Sequence, residues 1–94
     1  MADKISIIVP CYNEGTAIPV FYNELTRALD AIDVEKEIIF VDDGSSDDSL
    51  FVMKTLAKRD SGVKYISFSR NFGKEAAMFA GLEASSGNYA AIMD

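Results

Sequence analysis

The sequence predicts an α/β domain in which four strands run parallel and a helix fills each of the three connections between them. Two observations carry this. Short apolar runs rich in β-branched and aromatic residues recur at residues 5–10, 37–41, 63–68 and 89–94, and apolar residues at three- and four-residue steps fill the stretches between. Strands alternating with helices of this length make βαβ units, which cross over right-handed and lay their strands parallel in one sheet. A third observation says where to look for function. Each run is followed by polar residues: "CYNEG" after the first, "DDGSSDD" after the second, "SRNFGK" after the third, and Asp94 at the end of the fourth.

The elements follow in order. Residues 5–10, "ISIIVP", are nearly continuous β-formers, as expected of a strand covered on both faces, and Pro10 ends it. A helix is expected where Ile18, Phe21, Tyr22, Leu25, Leu29 and Ile32 form one apolar stripe, with Glu24, Arg27 and Asp30 facing water and Pro19 in the first turn. Residues 37–41 form the second strand. A second helix, starting near Asp47, is marked by Leu50, Met53, Leu56 and Ala57 and stopped by Asp60, Ser61 and Gly62. The third strand covers residues 63–68, "RNFGKE" is its loop, and an alanine-heavy helix spans residues 73–84. "SSGN" then turns the chain into "YAAIMD", the fourth strand. The layout is Rossmann-like, and without repeats or linkers it reads as one domain over residues 1–94. Open sheets of this kind bind ligands beyond the carboxyl ends of their strands, at a switch in strand order. All four polar clusters fall there.

Composition narrows the classes of function. Ninety-four residues with 49% hydrophobic and 26% charged side chains suit one small globular domain rather than a disordered chain. A net charge of −6 and nine scattered Lys and Arg residues argue against nucleic acid. An anionic ligand would therefore need local cations, helix N-termini or a metal. Cys11 is the lone cysteine, which rules out an internal disulfide, suggests a reducing compartment, and reads as a packing residue. The opening Met-Ala-Asp-Lys is unlike a signal peptide, and no run approaches the roughly 18 to 20 apolar residues of a membrane span. The expected compartment is the cytoplasm.

The familiar phosphate loops are absent. A Walker loop would need glycine where Phe68 stands and Ser or Thr where Glu75 stands, and no Gly-x-Gly-x-x-Gly follows the first strand. Asp42 and Asp43 have a local explanation: Gly44 takes a positive φ, Ser45, Ser46 or Asp47 caps the second helix, and acids complement its dipole. That accounts for residues 45–48 better than for the adjacent pair. Neighbouring strand residues point to opposite faces, so the two carboxylates should serve different partners, at least one of them in the crevice. Arg70 reads either as an exposed loop charge or as a phosphate or base contact. Lys74 and Glu75 read as a solvated helix start.

Taken together, "SIIVPCYNE", "VDDGSSDDS", "SRNFGKEAAMFAGLEASSG" and "AAIMD" resemble the N-terminal half of a family 2 glycosyltransferase with the GT-A fold. "SFSRNFGKEAAMFAGL" is similar to the branch that transfers sugars to polyprenyl phosphates, which includes dolichol-phosphate mannose synthase. The resemblance implies that Pro10, Tyr12, Asn13 and Glu14 contact the base and ribose of a UDP- or GDP-sugar. It also implies that Asp43, of the pair Asp42 and Asp43, hydrogen-bonds the base, and that Arg70 lies near base and phosphates. Asp94 matches the first acid of an Asp-x-Asp motif holding Mg²⁺ or Mn²⁺ against the diphosphate. The second acid, the acceptor half and any C-terminal membrane segments of the parent would follow, so the fragment is expected to hold no catalytic residue of its own. Two other readings stand beside it: a receiver-like regulatory domain using its acid pair, and a half-domain that self-associates to cover its sheet.

Overall fold

The computed structural model describes residues 3–93. The elements run β1 (Lys4–Cys11), α1 (Ala17–Asp30), β2 (Glu35–Asp42), α2 (Ser49–Arg59), β3 (Val63–Ser67), α3 (Lys74–Ala84) and β4 (Tyr89–Ile92). All strands are parallel, in the order β3-β2-β1-β4. The chain steps outward from β1 to β3 and then returns across the sheet to the other side of β1. The strand order therefore switches between β1 and β4.

This path divides the core by side-chain parity. Ile7 and Val9 of β1 and Ile38 and Phe40 of β2 pack on one face with Ile18, Leu25, Leu29, Met53 and Leu56 of α1 and α2. Ile8, Ile39 and Val41 point the other way and pack with Ala77 of α3. Burial on both faces explains why the first two apolar runs are unbroken rather than alternating. β3 and β4 lie at the sheet edges and are mostly exposed. Among the described residues no helix is long and apolar enough to cross a membrane.

Several element ends shift by one or two residues from expectation, and two of the helix ends have a visible local setting. α1 stops at Asp30, and Ile32 lies beyond it, half exposed, in a turn whose Val34 N–H donates to the Ile32 carbonyl. The turn is needed because β2 begins at Glu35, whose N–H donates to the Asp3 carbonyl. α2 begins at Ser49, and its N-cap residue, Asp48, makes no side-chain capping bond.

Close approach of α3 to the sheet depends on Gly81. A Cβ there would lie 2.4 Å from Ile8 Cγ2. Alanine would gain up to about 1 kcal/mol of helix propensity, against about 1–3 kcal/mol for overpacking. Gly81→Ala is therefore expected to lose about 1 kcal/mol net, read as a lowered urea midpoint with unchanged slope.

At the amino ends of the strands Glu37 is 2% exposed. Its carboxylate accepts from Lys4 Nζ at 3.1 Å, Lys64 Nζ at 3.3 Å, the Ser86 N–H at 3.1 Å and the Ser86 hydroxyl at 2.7 Å. One side chain thus ties β1, β2, β3 and the turn before β4. A hollow of about 480 Å³ opens beside it, but its lysines are already matched, Lys4 and Lys64 with Glu37 and Lys36 with Asp30. It also lies at the end of the sheet opposite the polar clusters.

Candidate functional site

At the carboxyl ends of the central strands β1 and β2 finish in register, Cys11 beside Asp42, and the Asp43 N–H donates to the Cys11 carbonyl at 2.9 Å. The acid pair then parts as the pleat requires. Asp42 Oδ1 accepts the Ser45 N–H at 3.0 Å, closing a turn over Gly44, whose φ is +74°. Asp43 turns to the α3 face, where its two carboxylate oxygens accept the Phe72 N–H at 2.8 Å and the Gly73 N–H at 3.1 Å. A carboxylate on these amides satisfies donors at the start of α3 and complements the helix dipole. The Asn71 side chain adds a bond to the Asp43 carbonyl at 3.2 Å. The loop after β3 is thereby fastened to the end of β2.

A hollow of about 180 Å³ lies above these ends, lined by Pro10, Cys11, Tyr12, Glu14, Asp43 and Lys74. Tyr12 is 49% exposed and offers a ring face; Glu14 and Asp43 offer acceptors; Lys74 opens α3 and brings a cation to the helix end. A second hollow of about 440 Å³, on the α1 side of β1, is lined by Val9, Phe21, Phe40 and Met93 among others. Cys11 borders both and is chemically quiet. Burial, then Glu14 and Asp42, push its thiol up to about 12, so it stays protonated and is no nucleophile.

The expected site residues divide. Pro10, Tyr12, Glu14 and Asp43 come together around the smaller hollow. Asn13 and Asp42 do not line it, because their side-chain oxygens are engaged by backbone N–H groups of the 45–47 turn. Arg70 is exposed outside it, its guanidinium carbon 4.8 Å from the Phe72 ring centroid. Asp94 lies outside the described residues. Lys74, expected only as a solvated helix start, is the lining residue that sequence reasoning missed; a cation just after the glycine that opens α3 was the available signal. The serine-acid run caps α2 only in part. Asp47, just before the N-cap residue, accepts the Ser49 hydroxyl, the Gly15 N–H and the Ser49 N–H, which hold its carboxyl below the usual range. Among the described residues no group of three or more His, Cys, Asp and Glu side chains is disposed to hold a metal.

An open parallel sheet with a hollow beyond the carboxyl ends of its strands defines a Rossmann-like domain. The family model for Glycosyl transferase family 2 matches residues 6–94, and the chain belongs to that family. It is 50% identical over 90 residues to the putative glycosyltransferase CsbB of Bacillus subtilis (strain 168), covering 96% of this chain and 27% of that protein. It is 47% identical over 85 residues to the bactoprenol glucosyl transferase of Shigella phage SfV, covering 90% of this chain and 28% of that one. The crystal structure of S. aureus TarS 1-349 in complex with UDP superposes with a TM-score of 0.76 at 27% identity, over 97% of this chain and 27% of that one. The GT-A fold expected from the motifs is the fold found, and the chain spans little more than a quarter of the length of these relatives. Family membership also sets the receiver-like reading aside.

Proposed function

We propose that these residues are the nucleotide-binding part of an enzyme that transfers a sugar, with inversion, from a nucleoside diphosphate sugar to a polyprenyl phosphate. The observation that carries this reading is the hollow bounded by Tyr12, Glu14, Asp43 and Lys74 beside the switch in strand order. The bactoprenol glucosyl transferase relative and the UDP-bound TarS neighbour support the acceptor and donor classes.

The base stacks on Tyr12. Each Asp43 oxygen already accepts one N–H and keeps a lone pair for a base N–H. Glu14 and the Pro10 backbone flank the ribose, while Lys74 and Arg70 offset diphosphate charge as the leaving group departs. A polyprenyl phosphate oxygen attacks the anomeric carbon as the bond to the diphosphate oxygen breaks on the opposite side. The attacking phosphate oxygen is already ionised near neutral pH, so no general base is required. The described residues do not assemble a divalent-cation site. For the parent, Mg²⁺ or Mn²⁺ on Asp94 with further ligands remains part of the proposal, as do a cytoplasmic site of action and association with the membrane that holds the acceptor. The 94 residues alone are expected to bind nucleotide weakly and to transfer no sugar.

Calorimetry with UDP and GDP, with and without Mn²⁺, tests the reading. Tyr12→Ala should weaken binding by about tenfold, at the low end of base–aromatic stacking, with an unchanged thermal midpoint. If neither nucleotide binds either this chain or a longer chain containing it, the reading fails.

A further inference from the structure

We propose that Asn13 is the positioning residue of this site, clasping the two loops that carry Tyr12, Glu14 and Asp43 into one preorganised unit without touching the ligand. The proposal rests on reading the smaller hollow as the nucleotide site. Asn13 is the one non-glycine residue among those described with a positive φ, +53°. Asparagine tolerates that conformation better than most side chains. Its N–H donates to Ser45 Oγ at 2.9 Å. Its Oδ1 accepts the Ser46 N–H at 2.8 Å, the Asp47 N–H at 3.3 Å and the Ser46 hydroxyl at 3.4 Å.

The next two amides continue the lacing. The Glu14 N–H donates to Ser49 Oγ at 2.9 Å, and the Gly15 N–H to Asp47 Oδ2 at 3.0 Å. Three consecutive amides of the first loop are thus taken by side chains of the second, and the second loop returns two of its own to Asn13. Tyr12 and Glu14, on either side of Asn13, both line the hollow, whereas Asn13 does not. The left-handed residue gives its carboxamide oxygen to the second loop, borders the larger hollow rather than the smaller one, and fixes where its neighbours stand. Serines and acids that read in sequence as a helix cap serve here as the second half of the clasp.

The test uses the whole chain. Asn13→Gly keeps the left-handed backbone and deletes the carboxamide; Asn13→Asp keeps an acceptor oxygen in the same place. In N13G the Ser46 and Asp47 amides should exchange at least tenfold faster by NMR while Ile39 and Phe40 in β2 are unchanged. UDP affinity should fall about tenfold. N13D should restore most of the amide protection. Adding Ser45→Ala to N13G should weaken UDP binding no further, because both act through the same clasp. Unchanged exchange in N13G, faster exchange with unchanged UDP affinity, or losses that multiply in the double variant would each overturn the proposal. If N13G does not fold, Ser45→Ala alone must show the same paired changes at smaller size. If neither the wild-type chain nor a longer chain containing it binds nucleotide, the functional reading fails separately. The clasp is then decided by amide exchange together with the Tyr12 ring-proton shifts, which must both move in N13G.

Discussion

Gly44→Ala is expected to destabilise the domain by about 3 kcal/mol or more. Two costs coincide there. The backbone sits at φ +74°, where a Cβ costs about 1–2 kcal/mol. The added carbon would also lie 2.2 Å from the Arg70 carbonyl carbon and 2.4 Å from the Asn71 nitrogen, both backbone atoms of the loop that Asp43 holds. Backbone cannot rotate aside as a flexible side chain would. Relief requires the 70–73 loop to lift away from the end of β2, with loss of the Asp43 bonds to Phe72 and Gly73. Urea denaturation reads the stability. Nucleotide binding should be lost even under conditions where the variant remains folded.

Glu37→Gln is expected to cost about 3 kcal/mol at neutral pH, because it removes the one negative charge between Lys4 and Lys64 and weakens the grip on Ser86. The native group also predicts an acid limb. Burial alone would raise the carboxyl, but the Ser86 hydroxyl, Lys4, the Ser86 N–H and Lys64 outweigh it and hold the group at about 2, against an ordinary 4.5. Above pH 4.5 the contribution is fully present. As the pH falls from about 4.5 towards 2 the unfolded chain takes up a proton that the folded chain still refuses, and stability drains away through that window. Chemical denaturation at a series of pH values should show this slope in the native chain and a shallower one in E37Q. Equal slopes would mean that Glu37 is not the acid-sensitive group.

Much of the architecture was legible because it is written in local periodicity. The unbroken apolar character of "ISIIVP" and "EIIFV" called for strands covered twice, and α1, α2 and α3 do cover them. Ile32 shows the limit of the same reasoning: its three-residue step from Leu29 continued the stripe of α1, but the chain had to turn there to enter β2 beside Asp3. Within the site, the motifs named Pro10, Tyr12, Glu14 and Asp43, and these four line one hollow. They also grouped Asn13 with them, since nothing in "YNE" reveals that the middle side chain faces residues 33 and 34 positions away.

By itself the sequence determined the class of fold, the end of the sheet at which to look and the family, because strand and helix patterns and short motifs are properties of neighbouring residues. Tertiary structure alone decided what each polar group is used for. Asp43 clamps amides 29 and 30 residues on, Glu37 holds a turn 49 residues on, and Asn13 laces a loop that only the pairing of β1 with β2 brings alongside. The physical reason is the short range of a hydrogen bond. A carboxylate or amide is spent on whatever donor lies within about 3 Å, and that partner exists only once the sheet has formed.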